Sequence, residues 1–97
     1  MQFIVTAFDL PDALQRRLAV RQKHIDLCNE MKAEGTMLYG AALLDDDGNM
    51  KGSMLVLDFP GDAELDAYLK IEPYITGNVW GKIDILPCKV GPSFTQK

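Results

Sequence analysis

Three segments of this chain alternate like β-strands yet carry large apolar side chains on both faces, a pattern that one sheet covered by helices on one side does not satisfy. In residues 3–8, Phe3, Val5 and Ala7 point one way while Ile4 and Phe8 point the other. In residues 53–59, Met54 and Val56 oppose Leu55, Leu57 and Phe59. In residues 79–86, Val79, Ile83 and Ile85 oppose Trp80 and Leu86, although Lys82 and Asp84 dilute that second face. An antiparallel sheet with one wet face alternates apolar and polar residues instead. At ~25 cal/mol per Å² of apolar surface, several wet side chains would cost a small domain a substantial part of its stability. A second copy of the same chain is the most economical cover. The pattern therefore predicts a homodimer packed through the sheet face; the alternative is a monomer with an unusually apolar face.

The remaining punctuation sets the order of elements. Residues 3–8 end at Asp9-Leu10-Pro11 and read as a strand. Asp12 is placed to cap a helix whose apolar stripe runs Leu14, Leu18, Ile25, Cys28 and Met31, ending at Gly35. Arg21 falls on that stripe, which points to a pocket beside this part of the helix. Residues 36–44 and 53–59 form a hairpin across Asp45-Asp46-Asp47-Gly48-Asn49. Pro60-Gly61-Asp62 opens a second helix carrying Ala63, Leu65, Ala67, Tyr68 and Leu69, and Pro73 closes it. Residues 74–78 read as an irregular turn, 79–86 as a fourth strand and 91–97 as a loose tail. The order is βαββαβ, an α+β ferredoxin-like fold: a four-stranded antiparallel sheet with helices on one face. The 97 residues make one domain, with its core over about residues 3–90.

Composition removes several function classes. The net charge of −4 disfavours nucleic acid and anionic membrane surfaces. No segment approaches the ~20 apolar residues that span a bilayer. The start of the chain lacks the basic flank and cleavage pattern of a signal peptide, so Cys28 and Cys88 are expected to be free thiols in a reducing cytoplasm.

Arg21-x-x-His24-Ile25, Gly35, Leu43-x-x-Asp46-Asp47-Gly48, Gly52-Ser53, Glu72-Pro73-Tyr74 and Gly77-x-Val79-Trp80 occur in this order. The set resembles the YciI-like (YCII-related) proteins over about residues 3–90. The resemblance implies a ferredoxin-like subunit forming a dimeric α+β barrel. It also implies a catalytic dyad of a helix histidine and an acid before a Pro-aromatic pair, at positions matched here by His24 and Glu72. The family's usual acid is Asp, so Glu72 is one methylene longer, and Ala41-Ala42 replaces a common Gly-Pro in the wall near Tyr39.

His24 is the only histidine, the residue type suited to proton transfer near neutral pH. Pro73 forces an extended backbone at Glu72 and so fixes where its side chain starts. In contact, the carboxylate orients the imidazole, and the pair acts as a general base, a step worth ~10²–10⁴ in rate. Isomerisation, elimination or tautomerisation of a small, anionic organic substrate suits such a pair. Arg21 is the candidate for binding a carboxylate or enolate oxygen, Ser53 for donating a hydrogen bond, and Tyr74 and Trp80 for lining the pocket. Each has a structural alternative: a packed histidine, a solvated turn acid, a surface ion pair of Arg21 with Asp26, core or interface aromatics, a plain strand serine. On those alternatives the protein is a non-catalytic dimeric module that binds a small ligand or serves other enzymes.

Other chemistries find little support. His24 and Cys28 make at most a two-ligand metal pair on one helix face. They also form a possible nucleophile pair at i, i+4, although a buried thiol is the commoner outcome. The acidic hairpin lacks a calcium loop's final carboxylate, since the twelfth position is Val56. No Gly-rich dinucleotide or phosphate motif occurs, and no cofactor is expected. An RNA-binding platform of exposed basic and aromatic residues is missing.

Overall fold

Period-two alternation becomes one antiparallel sheet in the structure, a computed structural model that describes residues 1–94. The strands are β1 (Gln2–Asp9), β2 (Met37–Leu44), β3 (Met50–Asp58) and β4 (Trp80–Cys88), in the order β2-β3-β1-β4. The helices are α1 (Leu14–Glu34), α2 (Asp62–Leu69) and α3 (Pro73–Thr76). The fold is ferredoxin-like α+β, with β1 central and antiparallel to both β3 and β4. A short 3₁₀ turn spans Pro92–Phe94 in the expected tail, whose last residues, 95–97, lie outside the described residues.

Phe3, Val5 and Ala7 of β1 and Leu55 and Leu57 of β3 face the helices and form the buried core with Met31, Leu65, Tyr68, Tyr74 and Val79. Ile83 and Ile85 pack against the same core. The other face carries Ile4, Met54 and Val56, which are half-buried, with Phe8, Tyr39 and Leu86, which are exposed. Ile4 pairs with Val56 and with Leu86, so this apolar face runs continuously across three strands. The two-sided apolar character expected of the strands is thus real, and within one chain only one side is covered.

Four local expectations are corrected. Asp12 does not cap α1: its backbone is left-handed at φ 59°, and Ala13 stands at the N-cap with no side-chain hydrogen bond. Leu18 is not on the inner stripe but 47% exposed. The inward face runs through Ala13, Arg17, Val20, His24, Leu27 and Met31, shifted because Arg17 turns inward to pair with Asp9 at 2.9 Å. Residues 74–78 are not irregular throughout, because Pro73–Thr76 closes a helical turn whose N-cap is Glu72. Trp80 does not share the outer face with Leu86: the ladder slips between Phe8 and Asp9, Phe8 pairing with Lys82 and Asp9 with Trp80. That bulge returns the indole to the core.

Candidate functional site

The acid before Pro73 is held by its own sequence context. Glu72 is extended, φ −62° and ψ 120°, as a residue preceding proline must be. Its Oε1 accepts the Tyr74 backbone N–H at 3.1 Å, capping α3, and its Oε2 accepts a short hydrogen bond from the Tyr68 hydroxyl. The Glu72 side chain is 0% exposed. A buried carboxylate persists only with such partners, and its remaining one comes from α1. Nδ1 of His24 lies 2.6 Å from Oε1, with the imidazole 12% exposed.

Aromatic stacking orients the imidazole further. The Tyr74 ring lies parallel to it, centroids 4.1 Å apart and planes at 21°. The guanidinium of Arg17 sits over that same tyrosine ring at 4.4 Å. Arg17 is buried, and its Nη1 donates to both carboxylate oxygens of Asp9, at 2.9 and 3.1 Å. Through Nη2 it donates to Ser53 Oγ at 2.9 Å, and the Trp80 indole N–H donates to that oxygen at 3.3 Å. Its Nε is buried with no hydrogen-bond partner. Burial raises the Asp9 carboxyl above its usual range, against the pull of Arg17. Burial and the Glu72 charge push the Tyr68 hydroxyl far up, so it stays a donor. Burial likewise raises Tyr74, opposed by Arg17 and Arg21.

A cavity of about 390 Å³ opens between α1 and the β2–β3 hairpin, large enough for a small organic molecule. Arg17, Arg21, His24, Cys28, Ser53 and Tyr74 line it. Tyr39, Gly40, Ala41 and Ala42 form the wall where alanines replace the Gly-Pro pair. Of the expected site residues, His24 and Glu72 meet, and Arg21, Ser53 and Tyr74 reach the cavity. Trp80 stands behind it, supporting Ser53 and lying 5.9 Å from Tyr74. Arg21 is exposed at the rim and makes no ion pair among the described residues. Arg17 escaped the sequence reading, yet Arg17, Arg21, His24 and Cys28 recur at spacings of four, three and four, one continuous helix face. Among the described residues no group of three or more His, Cys, Asp or Glu side chains is placed to hold a metal ion.

The family model of the YCII-related domain matches residues 1–89. The chain belongs to the YCII-related family. An uncharacterized protein of Haemophilus influenzae and the protein YciI of Escherichia coli are each 25% identical to this YCII-related chain over 95 residues, covering 92% of it and 97% of the relative. Among solved structures, 5-chloro-2-hydroxyhydroquinone dehydrochlorinase from Burkholderia phenoliruptrix, in complex with 2,5-dihydroxybenzoquinone, superposes with a TM-score of 0.83. It is 22% identical, with 96% of this chain and 98% of that one covered. An antibiotic biosynthesis monooxygenase gives a TM-score of 0.54 at 16% identity, covering 94% and 98%. These likenesses establish the fold that this YCII-related chain shares with both.

Proposed function

We propose that this YCII-related protein is a cofactor-free enzyme in which His24 and Glu72 move a proton on a small anionic organic substrate. The observation that carries the reading is the 2.6 Å contact between His24 Nδ1 and Glu72 Oε1 at the wall of the cavity. A carboxylate only accepts, so Nδ1 carries a proton toward Glu72 and Nε2 is the ring nitrogen left for proton transfer. Nε2 removes a proton next to a carbonyl or phenol and returns it elsewhere, or the leaving group departs with the electron pair. Arg21 at the rim holds the substrate's negative oxygen, Tyr74 stacks behind the imidazole, and Ser53, fixed by Arg17 and Trp80, contributes a hydrogen bond. The dehydrochlorinase of the same fold is named for such a loss of hydrogen chloride from a hydroxylated ring, which makes phenolic and enolic acids the first substrates to try.

The outer sheet face belongs to the same reading. Ile4, Val56, Tyr39 and Leu86 form an apolar surface that a second copy covers, giving the dimeric α+β barrel. The absence of a membrane-crossing helix among the described residues and the two free thiols suit a cytoplasmic setting. Screening small phenolic and keto acids for thermal stabilisation finds ligands without presuming a reaction. With a turned-over substrate in hand, His24→Ala is expected to lose ~10²–10⁴ in kcat/KM. Unchanged turnover in that variant overturns the enzyme reading and leaves a ligand-binding module.

A further inference from the structure

Proton transfer by His24 and Glu72 leaves one pocket atom unused. Cys28 stands one turn beyond His24 on α1, and its Sγ is 3.4 Å from Nε2, the ring nitrogen that does not face Glu72. With the ring proton on Nδ1, Nε2 is an acceptor and the thiol is its donor. Thiol, imidazole and carboxylate thus stand in line: a nucleophile within reach of a base, and the base oriented by a third group. Cys28 lines the cavity together with Arg17 and Arg21. Cys28 packs in part against the core, but it also lines the open cavity and touches an imidazole there.

We propose that Cys28 is a nucleophile of this pocket, deprotonated by His24 as it attacks, and that it adds covalently to small anionic α,β-unsaturated carbonyl compounds. In the step, Sγ bonds to the β-carbon and the C=C electron pair moves toward the carbonyl as an enolate. The thiol proton passes to Nε2 and is then delivered to the α-carbon. Nothing is oxidised or reduced, no further reagent enters, and the reverse sequence releases the compound. Arg21 at the rim selects for the negative charge. Burial and the Glu72 charge push the Cys28 thiol up to about 11, so the sulfur rests as S–H and depends on His24 to react.

The inference rests on His24 acting as a base, but its test needs no turnover. The full chain is treated with iodoacetate, iodoacetamide and 3-benzoylacrylate, and adducts are located by peptide mass. In Cys88→Ser the expected result is one adduct, on Cys28, with benzoylacrylate adding its whole mass. Iodoacetate should react at Cys28 at least as fast as neutral iodoacetamide, and Arg21→Ala should reverse that preference. His24→Gln, shown to be folded by circular dichroism, should slow alkylation at least tenfold. An unlabelled Cys28, equal rates in His24→Gln, or a preference for iodoacetamide unaffected by Arg21→Ala overturns the proposal. Turnover of a substrate with an inert Cys28 sinks this proposal alone. Labelling that follows His24 while His24→Ala leaves turnover unchanged sinks the acid–base reading alone.

Discussion

At the scale of single residues, the site is a set of buried polar groups that satisfy one another. Glu72 accepts from His24, Tyr68 and the Tyr74 backbone, so removing its carboxylate leaves three donors without an acceptor. Glu72→Ala is therefore expected to destabilise the fold by about 1–3 kcal/mol in urea unfolding, the range for leaving buried donors unsatisfied. Glu72→Gln keeps an acceptor oxygen and should lose less stability, while turnover falls because the amide no longer supports imidazolium. Tyr68 makes a second prediction. Its hydroxyl ionises near 10 in the unfolded chain and far higher in the folded one, because burial and Glu72 oppose its charge. The folded state then holds the proton more tightly, so this contribution is complete below pH 10 and is lost as pH rises above it, by about 1.4 kcal/mol per unit. Cys28 adds to the same alkaline loss between its ordinary 9.0 and about 11. Urea midpoints between pH 9 and 11 should fall, and Tyr68→Phe should flatten the part above pH 10. A wild-type midpoint that holds steady across this range contradicts the arrangement.

Elements place those residues through two close approaches of backbone. Gly52 of β3 lies against β1, where a Cβ would stand 2.5 Å from the carbonyl oxygen of Ala7, a backbone atom that cannot step aside. Gly52→Ala should cost about 1–3 kcal/mol by overpacking. It should also lower ligand affinity in calorimetric titration, because the next residue, Ser53, anchors Arg17 and Trp80. If Gly52→Ala matches the wild type in both stability and affinity, the strands do not hold Ser53 as described. The element order and most strand faces were legible from sequence, because period-two alternation and turn residues act locally, whereas the His24–Glu72 contact was expected only from the family resemblance. What escaped depends on contacts between distant segments. Nothing local marks Arg17 as a core residue, because its partner Asp9, eight positions earlier, comes beneath it only in the fold. The α3 turn is capped by the Glu72 carboxylate, a role not contained in its readings as a partner of His24 or a solvated turn acid. Trp80 changes faces through a one-residue slip of β4 against β1, and alternation carries no trace of such a slip.

For the molecule as a whole, the proposed dimer rests on the apolar sheet face. The two faces of the sheet differ in their consequences. Leu57 is 0% exposed and packs toward the helices, whereas Leu86 is 63% exposed on the opposite face. Leu57→Glu buries an unpaired charge and should abolish folding in any oligomeric state. Leu86→Glu and Val56→Glu place a charge only where two sheets would meet, and should shift the protein from dimer to monomer in sedimentation. A second copy that binds the folded but not the unfolded chain also makes stability depend on concentration. The wild-type Tm should rise with each tenfold increase in protein, and Leu86→Glu should both lower Tm and remove that dependence. A wild-type Tm independent of concentration, together with a monomeric mass, would show that the chain tolerates this face in water. The cavity between α1 and β2 would then be the work of one chain alone.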